Sequence, residues 1–184
     1  MCSSDLVLNV LIVYGTTEGQ TRKIAEWIES HVRQRGHDAE LRDSASVESG
    51  AALERFDAFI VAASVHQDYH QETVRDFVMA HRQILDAKPS AFISVSLSAV
   101  LEGAQPEAQR YAETFLSATG RRPAKTLLLG GALRYTDYDY FQGQIVRFIV
   151  TKGGAPGRGR EDREFTDWTE LAAFIDGFLA TAAW

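Results

Sequence analysis

The chain alternates between two hydrophobic periods. Residues 6–14, LVLNVLIVY, form a nearly unbroken run of Leu, Val and Ile, the pattern of a strand buried on both faces. Residues 20–35 switch to helical spacing, with Ile24, Ile28 and Val32 on one side and Gly36 at the stop position. AELR (39–42) reads as a short second strand and FDAFIVAAS (56–64) as a third. The spacing predicts a helix over about 71–85, with Val74, Phe77, Val78 and Leu85 on one face. SAFISVSL (90–97) is a fourth strand, and Pro106 opens a helix carrying Ala108, Tyr111, Ala112 and Phe115. KTLLLGGAL (125–133) is the fifth strand. TDWTELAAFIDGFL (166–179) is the last helix, capped by Thr166 or Asp167.

Strands alternating with helices imply a parallel sheet covered on both faces. Right-handed crossovers make this a doubly wound α/β domain whose ligands sit at the carboxyl edge of the strands. No repeat or strong boundary divides residues 1–184, so one domain is expected. The connection 134–165 is too long for a simple link and reads as an insertion before the last helix.

Composition narrows the classes. With 184 residues, 45% of them hydrophobic, the chain can bury a substantial core. Its longest apolar runs fall well short of the ~20 residues that span a bilayer, and the N-terminal residues do not form a leader pattern. A cytoplasmic protein is expected. The single cysteine, Cys2, excludes an internal disulfide or a thiolate cluster. A net charge of −6 argues against a nucleic-acid binder.

The chemistry concentrates after the first strand, in GTTEGQT (15–21). Gly15 and Gly19 permit turns that gather N–H groups on one concave side. Thr16, Thr17 and Thr21 add hydroxyls, Gln20 adds an amide, and the helix starting near Gln20 points its positive end at the same place. Together these suit a phosphate dianion. The loop is not the NTPase loop, because its glycines are one residue too close and Gln20 stands where lysine is required; the G-x-G-x-x-G fingerprint is absent too. HQDYH (66–70) offers His66, Asp68 and His70 as a conceivable metal set, but a metal site needs three or four placed donors and no further cluster accompanies them. No metal is expected.

A hydroxyl-rich phosphate loop without lysine resembles that of the flavodoxin-like superfamily, and the likeness runs the length of the chain. More narrowly, four stretches resemble the FMN-containing, quinone-dependent protoporphyrinogen dehydrogenases: YGTTEGQTRKIA, SAFISVSLSA, GGALRYTDYDYF and GGAPGRGREDREFTDW. The resemblance implies a five-stranded parallel sheet of order 2-1-3-4-5. It implies FMN, with Thr16, Thr17, Glu18, Gly19, Gln20 and Thr21 around the phosphate, the Glu18 side chain turned away from it. Ser64, Val65 and His66, and Ser96, Leu97, Ser98 and Ala99, would flank the ring, with His66 or Tyr69 stacking on it. The activity implied is oxidation of protoporphyrinogen IX to protoporphyrin IX in haem biosynthesis, with a quinone as acceptor. The alternatives are a flavodoxin-type electron carrier docking on a redox partner protein and an NAD(P)H-linked quinone reductase of the same fold. No residue announces itself as a catalytic base. The family's tyrosine and glycine are replaced here around Gln67 and Asp68. A phosphate cradle without lysine also leaves the anionic reduced flavin without fixed positive charge, which favours a low potential.

The insertion bears on substrate. Residues 134–163 carry six Arg or Lys against four Asp or Glu, a local +2 inside an acidic chain. YFQGQIVRFIV (140–150) places Phe141, Ile145, Phe148 and Ile149 at helical spacing, with Arg147 on another face. Such a helix can line a tetrapyrrole pocket, with Arg134 and Arg147, beside Tyr135, meeting the propionates. It can also rest peripherally at the inner face of an anionic membrane, or pack on the domain and support an oligomer.

Overall fold

The sheet assembles around β1 (Asn9–Gly15), which the loop after it connects to α1 (Gln20–Gln34) and β2 (Asp38–Asp43). The chain continues through a short turn of helix at Ser44–Ser46, then β3 (Ala58–His66), β4 (Tyr69–His70), α2 (Glu72–Ala80) and α3 (Arg82–Ala87). β5 (Ser90–Ser96), α4 (Gln105–Thr119), β6 (Lys125–Gly130) and β7 (Ala132–Leu133) follow, and β8 (Arg163–Glu164) and α5 (Trp168–Ala182) close the chain. The computed structural model describes residues 6–48, 52–133 and 163–183. Cys2 and most of the insertion, with Arg134, Tyr135 and Arg147, lie outside the described residues.

The long strands pair in parallel in the order β2-β1-β3-β5-β6, the order expected for five strands. Alternation along β1 explains the two layers. Val10, Ile12 and Tyr14 face one way and meet Ile24, Ala25, Ile28 and Val32 of α1 together with Leu171, Ile175 and Phe178 of α5. Leu11 and Val13 face the other way and meet Val74, Phe77 and Val78 of α2 and Phe115 of α4. The central strands are therefore apolar on both faces, which is why their sequences show no alternation.

Three local departures from the predicted elements have physical causes. The helix expected over 71–85 breaks at His81, whose backbone N–H donates to the Phe77 carbonyl at 3.0 Å while its Nδ1 lies 2.9 Å from the same oxygen. The strand expected over 125–133 divides at Gly131. There the returning chain takes the edge: Phe165 N–H donates to Gly131 O at 2.9 Å and Thr166 Oγ1 to Gly130 O at 2.8 Å, and β7 pairs antiparallel with β8. Third, β3 runs past its predicted end into a hairpin with β4 that the sequence reading lacked. Of the two caps proposed for the last helix, Asp167 serves, accepting from the N–H groups of Thr169 and Glu170.

Two glycines are required by space. A Cβ on Gly15 would lie 2.3 Å from Val74 Cγ2, and one on Gly130 would lie 2.5 Å from the Phe165 carbonyl oxygen. Gly130→Ala is expected to destabilise the protein by about 1–3 kcal/mol, because backbone cannot yield as a side chain can; chemical denaturation checks this.

His70 supplies a pH dependence. Its ring lies 5.4 Å from that of Phe92 and 5.0 Å from that of Phe115, with Nε2 2.9 Å from Ser94 Oγ. Loss of water lowers its pKa from the ordinary 6.5 to about 4. Between those values the unfolded state binds the extra proton, so the contribution is complete above the unfolded value and is lost as pH falls toward the folded one. Urea denaturation at pH 7 and pH 4 should show the parent losing roughly 2–3 kcal/mol more than His70→Gln.

Candidate functional site

Chain connections run from β1 to β2 on one side and through β3 to β5 and β6 on the other, so the order reverses beside β1. Strand ends at such a reversal part from each other and leave a crevice. Here it is a cleft lined by the loop after β1, the end of β3, the end of β5, and Gly131 and Ala132.

The loop is shaped by its own side chains. Gly19 takes a left-handed φ of +90°, which a side chain would strain, and its N–H donates to Thr16 Oγ1 at 2.8 Å. α1 starts immediately after it, with no side-chain cap and no acidic residue in its first turn. The first N–H groups of a helix have no partner within it, and together with the dipole they favour an anion. Thr21, on that first turn, is fully buried, and its Oγ1 has no hydrogen-bond partner among the described residues.

That orphaned hydroxyl has company. Ser96 Oγ at the end of β5 and Gln71 Oε1 are likewise buried and unpartnered among the described residues. A buried polar atom without a partner costs about 1–3 kcal/mol, so the two on residues lining this one cleft, at Thr21 and Ser96, indicate a polar ligand that completes them. A flavin phosphate and ring fit this donor set. Gln71 was missed in the sequence. Its Nε2 donates to Thr17 Oγ1 at 3.1 Å and to Ser64 Oγ, tying the phosphate loop to β3 from the residue before α2. The only signal was a polar residue just ahead of a helix, which capping explains equally well.

Thr16, Thr17, Glu18, Gln20, Thr21, Ser64, Val65, His66, Ser96 and Leu97 line the cleft. Gly19 shapes the loop instead of lining it. Ser98 and Ala99 do not line it either; Ser98 is buried and its hydroxyl donates to Glu107 Oε2 at 2.9 Å. The Glu18 side chain reaches the opposite rim, its Oε1 4.0 Å from His66 Nδ1. His66 lines the cleft, whereas Tyr69 is 69% exposed and does not. The three members of the HQDYH set go to different neighbours: His66 to Glu18, Asp68 to Tyr111 and His70 to Ser94.

The end of the insertion is fastened beside the phosphate loop. Gln20 Nε2 donates to Thr166 Oγ1 at 3.0 Å, Lys23 pairs with Glu164, and Trp168 Nε1 donates to Glu164 Oε1 at 2.9 Å. The Lys23 ammonium also lies 5.5 Å from the Trp168 ring centroid. Its hydrogen bond from Lys23 holds the Glu164 carboxyl below the ordinary carboxylate range.

Comparison with known proteins agrees with this geometry. A flavodoxin domain family matches residues 11–158. Protoporphyrinogen IX dehydrogenase (quinone) from Escherichia coli K12 is 30% identical over 168 residues, 91% of this chain and 92% of that one. The protein of the same name from Leishmania major is 28% identical over 92% of this chain and 74% of its own. Among solved structures, oxidised flavodoxin 2 from Bacillus cereus superposes with a TM-score of 0.55 at 18% identity, covering 95% of this chain and 97% of that one. No helix among the described residues is long and apolar enough to cross a membrane. With the strand order, the lysine-free phosphate loop and these relatives in agreement, the chain belongs to the flavodoxin family, as a flavin-binding oxidoreductase.

Proposed function

We propose that this chain is an FMN-dependent dehydrogenase that oxidises protoporphyrinogen IX to protoporphyrin IX in haem synthesis and passes the electrons to a quinone. The observation that carries the flavin part is the pair of orphaned hydroxyls, Thr21 Oγ1 and Ser96 Oγ, on residues that line one cleft. The substrate part is supported by the relatives of that name, which align over nearly the whole chain.

FMN supplies the two-electron redox chemistry when bound. The residues of the chain do the rest. Thr16, Thr17, Gln20 and Thr21, with the N–H groups at the start of α1, hold the phosphate; Ser64, Val65 and His66 on one side and Ser96 and Leu97 on the other flank the ring. Glu18, reaching His66, narrows the mouth and limits water. Ala132 is the last cleft-lining residue before the insertion, so Arg134 and Tyr135 follow it two and three positions along the chain. With Arg147 they supply cations and a phenol suited to a tetrapyrrole carrying propionates.

The test is anaerobic mixing of FMN-loaded protein with protoporphyrinogen and a quinone, followed by porphyrin fluorescence against a flavin-free control. Repeated turnover that requires both protein and FMN is the expected result. A protein that binds and can reduce FMN but makes no porphyrin would leave the electron-carrier reading standing instead.

Cofactor affinity checks the cleft. Thr21→Val keeps the shape of the side chain and removes its hydroxyl, and should weaken FMN binding about tenfold or more, as loss of a hydrogen bond to a charged group does. Ser96→Ala, opposite the uncharged ring, should weaken it only about threefold to tenfold. Quenching of FMN fluorescence on titration reads both.

A further inference from the structure

Two hydrogen bonds tie α4 to the rims of the cleft, one on each side. The β3–β4 hairpin closes through a two-residue turn, Gln67–Asp68, with Val65 opposite His70 and His66 opposite Tyr69. Gln67 has φ +48° and Asp68 φ +70°. Turns of this geometry usually place Asn and Gly at these positions, and a glutamine in the left-handed region is disfavoured. Such a conformation persists only where its surroundings hold it. The hold comes from α4: the buried Tyr111 donates its hydroxyl to Asp68 Oδ1 at 2.7 Å.

The second bond starts one helical turn earlier. Ser98, just beyond the cleft-lining Ser96 and Leu97, is buried and donates to Glu107 Oε2 at 2.9 Å. Glu107 and Tyr111 stand four residues apart and so share a face of α4. That face addresses the hairpin turn with one side chain and the loop after β5 with the other. Burial first, and then hydrogen bonding to Asp68, raise the Tyr111 pKa, so the phenol stays a donor. Arg110 borders both groups, its Nη2 3.8 Å from Glu107 Oε1 and its guanidinium 5.5 Å from the Tyr111 ring centroid.

We propose that Tyr111 and Glu107 are positioning residues that brace the two ring-flanking rims from outside the cleft, Tyr111 by holding the Gln67–Asp68 turn and Glu107 by anchoring the loop at Ser98. This rests on the reading that the flavin ring lies between those rims. A strained turn is kept in one conformation by the bond from the helix behind it.

The test combines a mutant cycle with hydrogen exchange. Asp68→Gly removes the acceptor without straining the turn, Tyr111→Phe removes the donor, and Asp68→Asn keeps an acceptor and tolerates positive φ. Tyr111→Phe and Asp68→Gly should each weaken FMN binding about fivefold, the magnitude of one net hydrogen bond. The double variant should be no weaker than either single, and Asp68→Asn should stay near the parent. In flavin-free protein, Tyr111→Phe should speed amide exchange in peptides covering 64–70, and Glu107→Ala should do so in those covering 96–101.

Additive losses in the cycle, or unchanged exchange over 64–70 in Tyr111→Phe, would overturn the brace. Failure of the flavin placement has a different signature. There Thr21→Val and Tyr111→Phe would both leave FMN affinity unchanged while exchange over 64–70 in the flavin-free protein still quickened.

Discussion

Everything at this site depends on β1 being paired on both sides. A strand bonded to β2 along one edge and β3 along the other has no free backbone groups until it ends. Both of its faces are covered, by α1 and α5 on one side and by α2 and α4 on the other. The first place where the backbone can leave this arrangement is its carboxyl end, where the neighbouring connections run in opposite directions. The loop after Gly15 therefore has room to turn its N–H groups and hydroxyls inward, and the rigid sheet holds them there. Gly15 itself is pinned by Val74 of α2, so the exit of the strand and the cover of the sheet are fixed by one contact.

The same constraint explains why much of the fold was legible in the sequence. Val10 to Val13 must be apolar without interruption because both faces are covered, and that run is visible directly. Ile24, Ile28 and Val32 recur at helical spacing because α1 has one buried side. The polar loop after β1 was legible because its chemistry is local: hydroxyls, glycines and an amide within seven residues. What could not be read depends on contacts distant in sequence. His81 leaves helical geometry, with φ −110° and ψ 18°, while its ring Nδ1 sits beside the Phe77 carbonyl, and nothing in the apolar spacing of 71–85 signals it. β6 stops because Phe165 and Thr166 return to take its carbonyls from 36 residues away at Thr166. Gln71 was missed because it bridges Thr17 and Ser64, residues 54 and 7 positions away. Ser98 was placed at the flavin by likeness to other proteins, yet its hydroxyl is committed to Glu107.

Polar groups divide between two kinds of task here. Some are fully used within the protein: His70 with Ser94, Asp167 with the start of α5, Glu164 with Lys23 and Trp168. Others, at Thr21, Ser96, Gln71 and His81, are buried yet left without a partner among the described residues. A chain selected for stability alone would exchange the second kind for apolar side chains of similar size. The two at the cleft, Thr21 and Ser96, and the strained hairpin turn beside it are features that stability alone does not favour.

The β7–β8 ribbon has a consequence for how such a protein can diversify. Leu133 and Arg163 are register partners, so the two ends of the sequence between them lie side by side. Closing a loop between fixed, adjacent ends costs free energy that grows only with the logarithm of its length, about 0.6 kcal/mol for each doubling. Residues can thus be added, removed or exchanged between those two positions with little effect on the sheet. The ribbon acts as a socket: the sheet and its cleft on one side of it, and the sequence joined to it on the other, are free to evolve at different rates, and relatives of one fold can part company there first.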